Sequence, residues 1–373
     1  MKKLGFGLMR LPLLDQNDKG SVDIELAKQM VDAFLAQGFT YFETAYMYCN
    51  GKSETAAKEI LVSRYPRNAY TLATKLPPHM IKSKDARDTV FSDQLQKTGV
   101  EYFDYYLLHC IDDETIQVFE QFDCFTWLQD KKAKGLARHI GFSFHGGPAL
   151  LDRVLTEHPD LDFVQLQINY LDWENEGVQS RACYEVATKH GVPVIVMEPV
   201  KGGVLANVPP AVERMFRASE PQLSPSSWAI RFAASLPNVM MVLSGMSTMQ
   251  QVTDNISYMA DLVPLSESEI AMVHTAADVI NGQIAIPCTG CSYCTENCPQ
   301  GIAIPQYFAL YNEDLQRHQE GDAGAEEKKR YAALCDHAAA ASACIGCGDC
   351  ESRCPQHIDV RNYLAQIASR YEG

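Results

Sequence analysis

The chain has little positive charge and no long apolar run. Its 373 residues carry 32 Lys and Arg against 47 Asp and Glu, which gives a formal net charge of −15. An acidic surface repels phosphate backbones, so this balance argues against nucleic acid as a partner. No apolar stretch approaches the roughly 20 residues that a membrane helix needs, so we expect no membrane span. The length suffices for a barrel-sized domain and a smaller one.

We also expect no export signal. Lys2 and Lys3 precede apolar residues, but Arg10 and Asp15 interrupt the apolar stretch, and no small-residue cleavage site follows. We therefore expect a cytoplasmic protein. That compartment is reducing, so disulfides are not the expected use of its cysteines.

A third absence concerns dinucleotide binding, because no predicted strand is followed by the G-x-G-x-x-G turn. Residues 1–275 instead alternate eight short apolar runs with amphipathic stretches. Eight strand–helix units predict a closed parallel (β/α)8 barrel over residues 1–275, with a doubly wound open sheet as the alternative. The predicted strands are Leu4–Met9, Tyr41–Thr44, Tyr70–Lys75, Tyr105–His109, His139–Ser143, Phe163–Gln167, Val192–Met197 and Met240–Gly245.

Cysteine is concentrated near the C-terminal end. Of the 13 cysteines, eight form two copies of the spacing C-x2-C-x2-C-x3-C, and a proline follows each copy. Three thiolates at this spacing wrap one face of a [4Fe–4S] cubane, and the fourth reaches a neighbouring cluster. Residues 276–373 are therefore interpreted as a small, mostly helical, ferredoxin-like domain that holds two [4Fe–4S] clusters and transfers single electrons.

The same motif predicts how the ligands cross between the two runs. Zinc is the alternative, but the usual four-ligand zinc site does not have this spacing. Cys335 fits neither run, and we expect a packed thiol there. The first cluster is predicted to be held by Cys288, Cys291, Cys294 and Cys354, and the second by Cys344, Cys347, Cys350 and Cys298.

In such a barrel the active site lies at the C-terminal ends of the strands. Glu43, Tyr48, Lys75 and His109 lie at the ends of three successive predicted strands. An ammonium stabilises a nearby phenolate, a carboxylate anchors the ammonium, and a histidine can orient a carbonyl or share its proton. We predict that these four residues protonate a carbonyl oxygen as hydride arrives at its carbon. A structural ion pair of Glu43 and Lys75 is the alternative.

These residues and their surroundings resemble the aldo-keto reductases, and with its cysteine-rich end the chain resembles the iron–sulfur branch of that family. The resemblance implies that the family's catalytic Asp, Tyr, Lys and His correspond to Glu43, Tyr48, Lys75 and His109, with Glu43 as a departure. The segments that carry it are GFGLMRLP at 5–12, YFETAYMY at 41–48, ATK at 73–75, LLH at 107–109, IGFSFHG at 140–146 and VLSGMSTMQQVTDN at 242–255.

The resemblance also implies a nicotinamide coenzyme. Gly245 and Gln251 stand where many NADPH-preferring members carry Lys and Arg, so NADH is expected rather than NADPH. Phe144 stands where an Asn often holds the nicotinamide amide. Barrel packing is the alternative for the strand-end residues, and helix capping for Gln251. The expected contacts are Ser143, Gln167, Met197, Ser244, Gly245, Met246, Ser247, Gln251 and Asn255.

The leading functional prediction is an oxidoreductase that couples carbonyl or alcohol chemistry on a small molecule to single-electron transfer through the clusters. The alternatives are an electron-transfer or redox-sensing protein with a non-catalytic barrel, or clusters that only brace the C-terminal part. Hydride carries two electrons, so a bound flavin, a partner flavoprotein or a substrate with a stable radical would have to split the pair, and a redox protein is a candidate partner. Lys201, Gly202 and Gly203, with Ser244–Ser247, are candidate contacts for the phosphate of FMN.

Overall fold

The computed structural model describes residues 2–16, 18–295, 298–317 and 323–373. Eight parallel strands in sequential order form a closed barrel. This confirms the predicted (β/α)8 barrel and excludes the doubly wound open sheet. The strands are β1 Leu4–Gly7, β2 Tyr41–Glu43, β3 Thr71–Leu76, β4 Phe103–Ile111, β5 Ala137–Phe144, β6 Phe163–Gln167, β7 Val194–Met197 and β8 Val239–Gly245.

The barrel interior is filled by side chains from alternate strand positions, as the period of two requires. Tyr41, Tyr105, Phe163 and Met241 belong to this inner cluster. The rings of Tyr105 and Phe163 meet edge to face with their centroids 5.2 Å apart. The packed interior closes the barrel from within, so a ligand can approach only from an end.

Helices surround the strands and continue into the C-terminal unit. Asp23 caps α1 by accepting a hydrogen bond from the Leu26 amide, and Ser266 with Glu269 forms a capping box on α12. The described α-helices are α1 Ile24–Ala36, α2 Tyr48–Gly51, α3 Ser53–Ala57, α4 Lys84–Thr98, α5 Ile116–Gln121, α6 Cys124–Ala133, α7 Pro148–Glu157, α8 Ser180–Lys189, α9 Pro210–Ser219, α10 Pro225–Ser235, α11 Met249–Met259, α12 Glu267–Asn281, α13 Ile304–Arg317, α14 Ala325–Cys335, α15 Asp349–Ser352 and α16 Val360–Tyr371.

A second hydrophobic core begins at Ile286 and is built on α13, α14 and α16. Tyr331 and Tyr371 stack at its centre with ring centroids 5.0 Å apart. The C-terminal part is therefore helical, as predicted. The division at residue 275 stays a prediction, and α12 runs through it to pack Ile280 on the barrel core. None of the described helices combines the length and apolar character needed to span a bilayer.

The second unit packs on the C-terminal mouth of the barrel. Arg10 Nη2, just after β1, donates to the Thr289 carbonyl at 3.1 Å. Lys201 Nζ, just after β7, donates to Gln356 Oε1 at 2.7 Å. Both contacts join a loop at a strand end to a segment that carries predicted cluster cysteines. The two units therefore meet where the barrel fold places its chemistry.

We predict that Gly202→Ala disrupts the packing of the second unit on the barrel mouth, whereas Gly203→Ala does not. Both glycines have positive φ, 63° and 107°, so each alanine should cost about 1–2 kcal/mol of backbone strain. A Cβ on Gly202 would also lie 2.1 Å from the Thr289 carbonyl oxygen, while a Cβ on Gly203 meets nothing within 4 Å. Urea unfolding and protease cleavage near residue 285 should show the larger loss for Gly202→Ala. Equal losses would contradict this packing.

Candidate active site

A cavity of about 100 Å³ lies at the C-terminal end of the barrel, and both units line it. Glu43, Tyr48 and His109 face it from the barrel, and Cys291 and Tyr293 face it from the second unit. We call this space the catalytic cavity. A groove of about 320 Å³ continues from it between the loops after β7 and β8. The C-terminal unit is thus a wall of the site.

The structure brings the four predicted proton-handling residues together. Lys75 Nζ lies 2.6 Å from Glu43 Oε1 and 2.9 Å from the Tyr48 hydroxyl. The side chains of Lys75 and Glu43 are only 1% and 4% exposed. The His109 ring meets the Tyr48 ring edge to face, with centroids 6.1 Å apart. These contacts form one network across the ends of β2, β3 and β4.

Burial decides the protonation states in this network. Desolvation and the charge of Glu43 hold the pKa of Tyr48 well above its usual value, so the phenol keeps its proton near neutral pH. Desolvation and the Lys75 charge hold the pKa of His109 well below its usual value, so the imidazole is neutral. Desolvation lowers the pKa of Lys75, and Glu43 opposes that shift. The site therefore offers a neutral acid beside a neutral imidazole.

Three of the predicted coenzyme contacts, Ser143, Gln167 and Met197, line the catalytic cavity at the ends of β5, β6 and β7. Gln167 Nε2 donates to Asp172 Oδ2 at 2.8 Å, while its Oε1 has no partner among the described residues. Such a buried acceptor suits an amide NH2 donor from a ligand. Phe144, at the position where an Asn often holds the nicotinamide amide, packs in the core between barrel and helices and does not line the catalytic cavity.

Five further predicted contacts line the groove, namely Ser244, Gly245, Ser247, Gln251 and Asn255. Some of them also support local structure: Asn255 Nδ2 donates to Ser244 Oγ at 2.9 Å, and the Ser247 amide donates to Gln251 Oε1 at 2.7 Å. Thr248 caps α11 by accepting from the Gln251 amide, so helix capping, the alternative for Gln251, is formed on the Thr248 side only.

Two residues predicted to contact a ligand phosphate are placed elsewhere. Met246 is fully buried in the core between barrel and helices, so its side chain does not face the groove. The Lys201 ammonium is buried between Asp172 and Gln356, and it does not line the groove. Among the described residues that line the groove, Arg10 is the one cation. A buried ammonium is stable only with partners, and Lys201 finds its partners away from the groove.

The eight motif cysteines surround two further cavities in the crossed pattern that the spacing predicts. Among the described residues, no group of three or more His, Cys, Asp or Glu side chains is arranged to hold a single metal ion. Ile304 lies between the two cavities and lines both. The first cysteine cavity is lined by Cys288, Cys291, Cys294 and Cys354, and the second by Cys298, Cys344, Cys347 and Cys350.

Comparison with known proteins agrees with this architecture. Residues 3–278 match the model of the aldo/keto reductase family. The chain belongs to the aldo/keto reductase family. Residues 287–358 match a 4Fe-4S dicluster domain, so this aldo/keto reductase carries an iron–sulfur unit at its C-terminal side. Family membership makes it an oxidoreductase.

Individual relatives are distant. An aldo-keto reductase of Mycolicibacterium smegmatis is 30% identical over 141 residues, 38% of this chain and 45% of that protein. The uncharacterized oxidoreductase YqkF of Bacillus subtilis is 24% identical over 68% of this chain and 89% of its own. Among solved structures, aldo-keto reductase AKR11C1 from Bacillus halodurans has a TM-score of 0.57 at 22% identity, covering 74% of this chain and 91% of its own. A Klebsiella pneumoniae aldo/keto reductase in complex with NADP and acetate has a TM-score of 0.57 at 17% identity, covering 73% and 90%.

Sequence reasoning missed how this aldo/keto reductase supports its glutamate. Gln165 Nε2 donates to both carboxylate oxygens of Glu43, at 2.9 and 2.8 Å, from the opposite wall of the barrel. Tyr41 adds a weaker contact, with its hydroxyl 3.4 Å from Glu43 Oε2. The signal was available, because Gln165 and Gln167 lie two residues apart and share the inner face of β6. The sequence did not indicate that Glu43, 122 residues away, is the partner of Gln165.

The second unit contributes residues that no barrel motif could indicate. Tyr293, between Cys291 and Cys294 in the first cysteine run, lines the catalytic cavity. Burial raises the pKa of Tyr293 well above its usual value. From the barrel itself, His145 directly follows β5 and also lines the cavity, and burial lowers its pKa to about 4. Both side chains face the space that a substrate would enter.

We predict that anaerobically reconstituted protein contains about eight irons per chain, with the ligands crossed between the two runs. Cys354→Ser should alter the electron paramagnetic resonance signal of the cluster held by the first run and leave the other unchanged. Cys298→Ser should do the reverse. Cys335→Ser, at a thiol that lines neither cysteine cavity, is the matched control. Stoichiometric zinc without acid-labile sulfide would reject the assignment.

Proposed function

We propose that this aldo/keto reductase couples carbonyl or alcohol chemistry in its barrel to one-electron transfer through two [4Fe–4S] clusters. One observation carries the proposal. Cys291 lines both the catalytic cavity, with Tyr48 and His109, and the first cysteine cavity. A cluster ligand and a proton donor therefore face the same small space. A cluster that only braced the chain would need no such position.

In the barrel, Tyr48 is the proposed proton donor and the other three residues support it. Its phenol keeps its proton until negative charge develops on the substrate oxygen. Lys75 contacts the phenol oxygen at 2.9 Å, so its ammonium stabilises the phenolate that is left. Glu43 holds Lys75 in place, and neutral His109 offers a hydrogen bond to the substrate oxygen. A nicotinamide coenzyme would supply the hydride.

The groove and the inner wall of the catalytic cavity are the proposed coenzyme site. Gln167 Oε1 is an acceptor for the nicotinamide amide, and Ser143 and Met197 lie at the neighbouring strand ends. Gly245 and Gln251 leave the groove without the cations that hold a 2′-phosphate. Arg10 is the groove's one described cation, and Glu198 lines the groove beside it. NADH therefore suits this site better than NADPH.

The second cysteine cavity is the proposed contact point for a redox protein, and the cytoplasm is the proposed location. Cys347 is exposed there, and the neighbouring Ile345 is 64% exposed. Two residues that line the first cysteine cavity, Thr289 and Gln356, accept hydrogen bonds from the barrel mouth, so electrons would reach solvent partners through the second cavity. Each cluster would pass one electron at a time, and a flavin bound in the barrel or carried by the partner would split the hydride pair.

The function is tested with anaerobic holoprotein, NADH and a panel of small aldehydes and ketones. Tyr48→Phe should lower carbonyl reduction by about 10²-fold or more, because the phenol donates its proton only in the reaction. The dissociation constant of the coenzyme should stay nearly unchanged. Reduction of the clusters by NADH with added FMN, followed by electron paramagnetic resonance, should survive the substitution.

Tyr102→Phe is the matched control, because Tyr102 precedes β4 at the opposite end of the barrel. Full activity of Tyr48→Phe with every accepted substrate would show that the proton donor is misassigned. Clusters that stay oxidised with NADH, both alone and with FMN, would contradict the coupling. Cluster reduction by NADH alone would remove the need for a flavin.

A second prediction concerns coenzyme choice. Wild-type protein should bind NADH at least as tightly as NADPH, since each missing cation removes a charge-assisted bond of about 1.5–3 kcal/mol. Gln251→Arg should raise the affinity for NADPH about tenfold and change that for NADH little. Fluorescence titration of both coenzymes measures this. Wild-type binding of NADPH tenfold tighter than NADH would contradict the reading of the groove.

A further inference from the structure

A second buried ion pair lies outside the proton-handling network. Lys201 and Asp172 form it, with side chains only 2% and 1% exposed. Charges buried to this degree persist only when they are paired and hydrogen-bonded. Lys201 begins the turn Lys201–Ala206 after β7 and has a positive φ of 46°. The barrel thus holds a buried cation at its mouth that the proposed carbonyl chemistry does not use.

On one side, this cation reaches the first cysteine cavity. Lys201 Nζ donates to Gln356 Oε1 at 2.7 Å. Gln356 follows Cys354 by two residues and lines the first cysteine cavity with it. Because its Oε1 is engaged by Lys201, its Nε2 is the end left without a partner among the described residues. That NH2 group is available to the sulfur atoms of a cluster.

On the other side, the pair reaches the catalytic cavity. Asp172 Oδ1 pairs with Lys201, and its Oδ2 accepts from Gln167 Nε2 at 2.8 Å. Asn169 Nδ2 donates to the same Oδ2 at 2.8 Å. Gln167 lines the catalytic cavity. A continuous set of hydrogen bonds therefore joins Gln167 to Gln356 through the ion pair.

We propose that Lys201 is a positioning residue that raises the reduction potential of the first cluster, both by its charge and by fixing Gln356. Reduction adds one negative charge to a cluster, and a nearby cation stabilises that charge more strongly in a buried site than in water. Hydrogen bonds to the sulfurs act in the same direction. The negative charge of Asp172 lowers the reduction potential of the first cluster. The net effect of the ion pair is therefore the difference between the contributions of Lys201 and Asp172. The inference rests on the proposed function, because it requires the clusters.

The test is a redox titration of the reconstituted holoprotein, with each cluster followed by electron paramagnetic resonance. Cys291→Ser and Cys347→Ser assign the two signals to the first and second clusters. Lys201→Met should lower the ratio of reduced to oxidised first cluster about tenfold at a fixed potential, which is about 59 mV for one electron. Asp172→Asn should raise the reduction potential of the first cluster. The potential of the second cluster should not change in either variant.

Lys131→Met is the matched control. Lys131 is also a mostly buried cation, 9% exposed and paired with Asp88, but it lies in α6 and lines neither cysteine cavity. It should shift neither cluster. If Lys201→Met fails to assemble its clusters, Lys201→Gln, which removes the charge but keeps a hydrogen-bond donor, decides: a lowered potential of the first cluster supports the role of Lys201, and an unchanged one overturns it.

The two proposals fail differently. Wild-type protein without iron and acid-labile sulfide would end the proposed function and this inference together. If the holoprotein holds both clusters but the reduction potential of the first cluster is the same in Lys201→Met and Asp172→Asn as in the wild type, only the role of Lys201 is overturned. An equal shift in the reduction potentials of both clusters would also overturn the role of Lys201, because a general loosening of the fold would then explain the change.

Discussion

The buried ion pair of Lys75 and Glu43 is the interaction on which the site depends. Its two charges lie 2.6 Å apart with almost no solvent, so each needs further hydrogen bonds to offset desolvation. Gln165 supplies two bonds to the carboxylate, and Tyr48 meets the ammonium. Removing one partner of such a pair typically costs about 3–5 kcal/mol. The contacts that hold the pair together therefore also set the position of the phenol.

The same constraint recurs where the two units meet. Lys201 and Asp172 are buried at the barrel mouth, and Gln356 from the C-terminal unit completes their hydrogen bonds. Close packing adds to this, because Gly202 leaves no room for a side chain beside the Thr289 carbonyl. The interface therefore joins the first cysteine cavity to the catalytic cavity through polar groups that are costly to separate.

Much of this was predictable from short-range patterns. Eight apolar runs predicted the barrel, because parallel strands buried on both faces repeat as short apolar segments. Strand ends indicated Glu43, Tyr48, Lys75 and His109, because a closed barrel brings such ends together. The structure places the side chains of Met246 and Lys201 away from the groove for a physical reason. A loop residue can face either the core or a groove, and the tertiary packing decides which.

Sequence alone predicted the cluster-binding motif, because cluster ligands occur at fixed spacings that can be recognised without the fold. It also determined the barrel and the set of residue types at the strand ends. Only the tertiary structure decided that Gln165 holds Glu43, that Tyr293 and Cys291 line the same cavity as Tyr48, and that Lys201 joins Asp172 to Gln356. These contacts cross long stretches of sequence, for example 155 residues between Lys201 and Gln356. No local pattern encodes such pairs, because they form only when separate elements pack together.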